Sequence, residues 1–210
     1  MMPQLRIVHR VLAVAALAAG TVSCGDVVRD SRSSVFLVID SLAGASGRPG
    51  GGAGTFVNTL FSDVIFNVTS PDPCSTVRPC PTVFADSGQV SLRLASKDVS
   101  LAPTTNNQVT ITRYHVSYRR ADGRNTPGVD VPFGFDGAVT GTIPPTASLT
   151  LGFELVRHVA KEESPLVQLV SNPTIINTIA DVSFYGTDQV GNAVSVSGSM
   201  SIEFGNFGDQ

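Results

Sequence analysis

Tryptophan is absent from this 210-residue chain, and tyrosine, histidine, methionine and cysteine each occur only three times. With so few large aromatics, the usual stacking platform for sugars is in short supply. One histidine falls in the first ten residues, leaving His115 and His158, and no Cys/His spacing suits tetrahedral zinc. Charged residues make up only 15 % of the chain. That density argues against a long disordered acidic or basic protein. The 14 Lys and Arg against 17 Asp and Glu give a formal charge of −3, and setting aside Arg6 and Arg10 makes it −5. Such a balance gives no electrostatic reason to bind nucleic acid. No Gly-x-Ser-x-Gly nucleophile elbow occurs, and the glycine-rich stretch at 44–54 lacks the Lys-Ser/Thr that a phosphate-binding loop requires. The longest apolar run noted, residues 11–19 (VLAVAALAA), is shorter than the roughly 20 residues that span a bilayer.

What is present is 42 % apolar residues, enough for a core, with 20 Gly and 13 Pro to turn the chain often. This combination predicts many short strands joined by tight turns. The first 24 residues have the layout of an export signal: Arg6 and Arg10, then the apolar run, then small residues up to Cys24. Gly20-Thr21-Val22-Ser23-Cys24 resembles a bacterial lipobox, in which the cysteine becomes the lipidated first residue after cleavage. Ser23 and Cys24 match that pattern, while Thr21 stands where leucine is usual. Ala18-Ala19-Gly20 also offers an ordinary cleavage site. The resemblance implies a cleaved signal peptide over 1–23, a palmitate-bearing Cys24, a polar tether over 24–34 and a folded domain over 35–210. It also implies a lipoprotein of the cell envelope, anchored in a membrane. Gly25 stands where some inner-membrane lipoproteins carry an aspartate, which favours the outer membrane.

With Cys24 lipidated, Cys74 and Cys80 remain as a pair bracketing a seven-residue loop among four prolines. An oxidising compartment allows a disulfide bond there, the alternative being two free thiols. No further Cys or His stands near enough to complete a metal site.

Strand-like segments follow along the domain at 35–39, 60–68, 90–94, 109–120, 138–143 and 148–156. In the last, Leu149, Leu151, Phe153 and Leu155 share one face, which predicts one buried and one wet side. A short helix is expected from Ser164 as cap, Pro165 in the first turn and Leu166, Val167, Leu169 and Val170 facing the core, stopped at Asn172-Pro173. The closing hairpin runs from 179–187 through a turn at 188–192 into 193–204. There Val194, Val196, Met200, Ile202 and Phe204 alternate with serines and Glu203, predicting an antiparallel sheet with a solvated face. Gly198 sits on the apolar side, marking a bulge or a close approach.

This spacing predicts an all-β fold, an antiparallel β-sandwich with one short helix. Residues 112–123 (TRYHVSYRRADG) resemble the third strand and turn of fibronectin type III domains. Residues 184–192 (FYGTDQVGN) resemble the closing hairpin of bacterial immunoglobulin-like domains. Both point to an immunoglobulin-like sandwich, which lacks here the core tryptophan common in those families.

No constellation for catalysis emerges. Glu154 and Glu203 fall on outward faces, where they do not form the facing pair of a glycosidase. Asp86-Ser87-Gly88 reads as a turn. Asp188 with Asn192, and Asp130 with Asp136, have the oxygen ligands of calcium sites, although Asx residues at turns more often bond their own backbone. Asn67-Val68-Thr69 reads as a strand segment. The most suggestive patch is a basic stripe of Arg113, His115 and Arg119 on one face of the long strand, with Arg120 and Arg124 at its end. It could recognise an anionic group; the alternative is a solvated face that keeps the sheet from pairing with neighbours. The expectation is a non-enzymatic, membrane-tethered binding or structural module with an envelope protein or glycan as partner. It needs no cofactor or metal. A carbohydrate-binding accessory protein is the second reading.

Overall fold

A computed structural model of the chain describes residues 32–49, 54–100 and 102–208. The expected signal peptide, residues 1–23, and Cys24 lie outside the described residues. Ten strands carry the fold: β1 (Val35–Ala45), β2 (Thr59–Asp63), β3 (Phe66–Val68), β4 (Cys80–Thr82), β5 (Asp86–Ser96), β6 (Val109–Arg119), β7 (Phe135–Ile143), β8 (Leu149–Val156), β9 (Ile176–Asp188) and β10 (Ala193–Gly205). They form a three-stranded sheet ordered β1-β5-β8, a five-stranded sheet ordered β2-β10-β9-β6-β7 and a two-stranded ribbon of β3 and β4. The protein is therefore all-β, as the alternation predicts. One pairing departs from the antiparallel expectation: β2 runs parallel to β10, so the larger sheet is mixed.

Strict alternation builds the core. On β5 Val90, Leu92 and Leu94 are buried, and on β10 Met200, Ile202 and Phe204. The two larger sheets face each other across these side chains. Tyr114 of β6 lies with its ring 5.1 Å from that of Phe153 on β8, and Phe153 stands edge-on to Phe184 of β9 at 5.3 Å. The Tyr118 hydroxyl donates to the Leu155 carbonyl at 2.6 Å, tying β6 to β8 inside the core. Gly198 resolves as a close approach. The β9–β10 register runs through it unbroken, and a Cβ there would stand 2.8 Å from Cδ1 of Ile39 on β1.

The stretch at 60–68, expected as one strand, is two: β2 ends at Asp63, and β3 begins the ribbon at Phe66. Asp86-Ser87-Gly88 is not a turn but the start of β5. The expected helix is also corrected. A five-residue α-helix, α1 (His158–Glu162), precedes it, and Leu166–Val170 is a 3₁₀ turn. Leu166 and Leu169 are buried, whereas Val167 is exposed. Apolar residues at i and i+3 eclipse at three residues per turn, which suits 3₁₀ geometry and turns Val167 outward. Ser164 does not cap the backbone; its hydroxyl accepts from Nε2 of Gln168.

Candidate functional site

The basic stripe occupies the open face of the five-stranded sheet. Tyr114, Val116 and Tyr118 point inward, leaving Arg113, His115 and Arg119 outside. β6 lies between β9 and β7, so these charges guard no sheet edge. Each cation meets a carboxylate. Arg113 Nη1 and His115 Nδ1 both approach Oδ1 of Asp136, at 3.4 and 3.2 Å. The Arg113 guanidinium also lies over the Tyr185 ring at 3.8 Å. Arg119 Nε reaches Asp181 Oδ2 at 2.6 Å, and Ser199 donates its hydroxyl to Oδ1 of the same group. Partial burial raises the Asp181 pKa, but the bonds from Arg119 and Ser199 outweigh it and hold the carboxyl below its usual range. Arg120 turns away to Asp122, which it shares with Arg124, each at 2.8 Å. Those two guanidinium groups hold the Asp122 carboxyl far below the ordinary value. The four stripe residues thus divide among three aspartates, which offset most of the stripe's positive charge. Exposed pairs of this kind contribute only about 0–1 kcal/mol each.

The calcium candidates resolve as turn chemistry. Asp188 Oδ1 accepts the Val190 and Asn192 N–H groups, and Oδ2 accepts the Asn192 side-chain amide. Burial pushes the Asp188 pKa up, yet these donors lower it overall. Asp130 accepts the Thr126 N–H across the β6–β7 loop. Among the described residues no group of three or more His, Cys, Asp or Glu could hold a metal ion.

Cys74 and Cys80 are bridged, with Cα atoms 5.4 Å apart. The bridge closes the tip of the β3–β4 ribbon, where Ser75 and Arg78 exchange backbone hydrogen bonds of 2.9 and 3.1 Å. Val77, at the turn between them, is 87 % exposed.

The chain sorts its connections between the two ends of the sheets. β1 starts beside the last residues of β5, where Lys97 N–H donates to the Ser34 carbonyl and Asn107 to the Ser34 hydroxyl. The turns at 144–148 and 189–192 lie at this end. Strands of this length extend roughly 30 Å. At their far end gather the longer segments: 46–58, the ribbon within 64–85, the β6–β7 loop at 120–134 and the α1-containing stretch at 157–175. Eleven large apolar side chains are exposed among the described residues. Only Phe36, Val99 and Val190 belong to the end where β1 begins. The other eight, including Phe61, Val77, Val129, Phe133 and Ile175, belong to the far end and its segments.

One buried ion pair fastens that end. Lys161 of α1 and Asp86 of β5 are both 0 % exposed at the side chain, with Nζ 2.7 Å from Oδ1. Lys161 also donates to the Asp63 carbonyl at 2.8 Å. Asp86 accepts the Gly47 N–H at 3.0 Å and the Ser62 hydroxyl at 2.6 Å. Four segments therefore meet on one carboxylate and one ammonium. Sequence reasoning missed this cluster: Asp86 reads as a turn residue, and nothing local marks Lys161 for burial.

No protein-family model, no curated protein and no solved structure matches the chain.

Proposed function

We propose that the protein is a non-enzymatic binding module of the cell envelope, an immunoglobulin-like β-sandwich tethered to a membrane through lipid on Cys24. The observation that carries this reading is the sorting of the loops. The tether expected over residues 24–34 joins the domain where β1 begins; Ser33 is buried and Ser34 is bonded to Lys97 and Asn107, so the free part before Ser33 reaches at most about 30 Å. The far end, with most of the exposed apolar side chains and the covalently closed ribbon tip, then points away from the membrane. Sandwich loops at one end commonly carry recognition, held in place by the rigid sheets. The four longest connections gather at the far end, and the shorter ones, at 97–108, 144–148 and 189–192, at the end the tether joins. The outer membrane is the favoured location, as Gly25 follows Cys24.

Two measurements test the two halves of the proposal. Cys24→Ser should move the protein from the membrane to the soluble fraction; unchanged membrane association rules out the lipid anchor. A photo-crosslinking residue at Val77, Val129 or Val167 should capture an envelope component in intact cells, while the same residue at Val99 or Val190 should not. Adducts confined to Val99 and Val190 refute recognition at the far end.

A further inference from the structure

The outer face of the three-stranded sheet is not flat. Where β5 and β8 pair near the far end, an open trough of about 520 Å³ lies between Phe56 and Glu154, with Ser87, Gly88 and Gly152 also lining it. That volume falls within the roughly 300–1,000 Å³ range of ligand sites. Gly152 is the unusual element. Alternation with Leu151 and Phe153 directs position 152 outward. Its backbone φ is not positive, and a Cβ there would meet nothing within 4 Å. Neither conformation nor packing demands glycine, which costs a strand about 0.5–1 kcal/mol relative to alanine. Its one physical effect is to leave the trough unfilled, as glycine in a strand does where another molecule approaches closely.

The polar groups around the trough define what fits it. Asp86 lies at its margin, but both its carboxylate oxygens are already taken, by Gly47 and Lys161 on one and by Ser62 on the other. Glu154 sits opposite Ser87 in the β5–β8 register and makes no ion pair among the described residues. The acceptors on offer are therefore a carboxylate and a hydroxyl, beside Phe56, while the other lining phenylalanine, Phe153, packs its ring on Tyr114 and Phe184. Among the described residues no lysine or arginine lines the trough, so they offer an anion no charge partner there. The mouth is wide and the floor is backbone, which suits a flat, hydroxyl-bearing ring better than a compact apolar molecule that needs enclosure.

We infer that this trough binds a neutral or amino saccharide. One face of a sugar ring rests on Gly152 and Phe56, and its hydroxyls donate to Glu154 and Ser87. The inference stands whether or not the chain is lipid-tethered, because every lining residue lies within the folded domain.

The test is binding of the purified full chain to an array of neutral, amino and acidic oligosaccharides. The best ligand is then titrated into ¹⁵N-labelled protein. Saturable shifts are expected at the amides of Ser87, Gly88, Gly152 and Glu154, with a neutral or amino sugar. Gly152→Val should weaken binding at least about tenfold while leaving the unfolding midpoint unchanged or raised, since valine suits a strand and meets open space. Phe56→Ala and Glu154→Gln should each weaken it as well. Absence of binding across the array overturns the inference. So does wild-type affinity in Gly152→Val, or equal binding of acidic sugars.

Discussion

Replacing Lys161 by methionine should be among the most damaging single changes outside the apolar core. The substitution keeps most of the length of the side chain and removes its ammonium group. It leaves the Asp86 carboxylate buried, with the Gly47 N–H at 3.0 Å and the Ser62 hydroxyl at 2.6 Å as its remaining donors, and it strips the Asp63 carbonyl of its ammonium. Breaking a buried ion pair by removing one partner costs about 3–5 kcal/mol. A domain has about 5–15 kcal/mol to lose. At about 2–4 °C per kcal/mol for a chain of this size, the midpoint should fall by roughly 6–20 °C. The assays are thermal unfolding for the midpoint and urea unfolding for the free energy, both followed by far-ultraviolet circular dichroism with the disulfide kept oxidised. Lys161→Met combined with Asp86→Asn removes the orphaned charge while keeping an acceptor for Gly47, and should regain roughly half of the loss, because burying an unpaired charge is the larger part of the cost. A single variant that loses less than about 1 kcal/mol, the range of an exposed pair, refutes the reasoning. A double variant no better than the single one does so too.

Further outcomes follow from the same coordinates. Cys74→Ala with Cys80→Ala should cost about 2 kcal/mol from loop-closure entropy, and hydrogen exchange should place the loss at β3 and β4 and not at β9. Asp188 has a lowered pKa in the folded state, so its contribution is present above the unfolded carboxyl value of about 3.9 and is lost as pH falls through the folded one. Asp188→Asn should flatten the acid limb of a stability–pH curve, and an unchanged limb contradicts this. Burial raises the pKa of Tyr118, with further upward pushes from Asp86 and Glu154, and burial also raises that of Tyr114. Alkaline titration of the phenols should therefore show less absorbance near pH 10, the ordinary tyrosine value, than three tyrosinates give, with the remainder appearing on unfolding. Tyr118→Phe leaves the Leu155 carbonyl without its 2.6 Å donor and should cost about 1–3 kcal/mol.

The parts of the fold legible in the sequence are those governed by local alternation. Residues 193–204 predict β10 almost to its ends, and Tyr114, Val116 and Tyr118 face inward as their spacing requires. The disulfide is legible because Cys74 and Cys80 stand close together with no other described cysteine to compete. Long-range pairings leave no such trace. Nothing in residues 59–63 announces a parallel partner far along the chain. Nothing near Lys161 announces Asp86, because burial of a charge is decided by which segments converge and not by its neighbours in sequence. The basic stripe is a middle case. Alternation puts Arg113, His115 and Arg119 on one face, but the neutralising Asp136 and Asp181 come from β7 and β9, so strand order decides its net charge.

The parallel strand β2 sets the order in which the protein can be completed. Among the described residues its ladder partner is β10, about 140 residues later, and β10 with β9 lies inside the larger sheet. At synthesis rates of about 5–20 residues per second, β2 waits roughly 10–30 s for the strand it must lie beside. Until then β6 and β7 have each other but no centre to join, and Leu60 has no Ile202 beside it in the sheet. A chain cut short before residue 193 is therefore not a smaller version of this protein but an open one. The larger sheet among the described residues is complete only once β10 is in place.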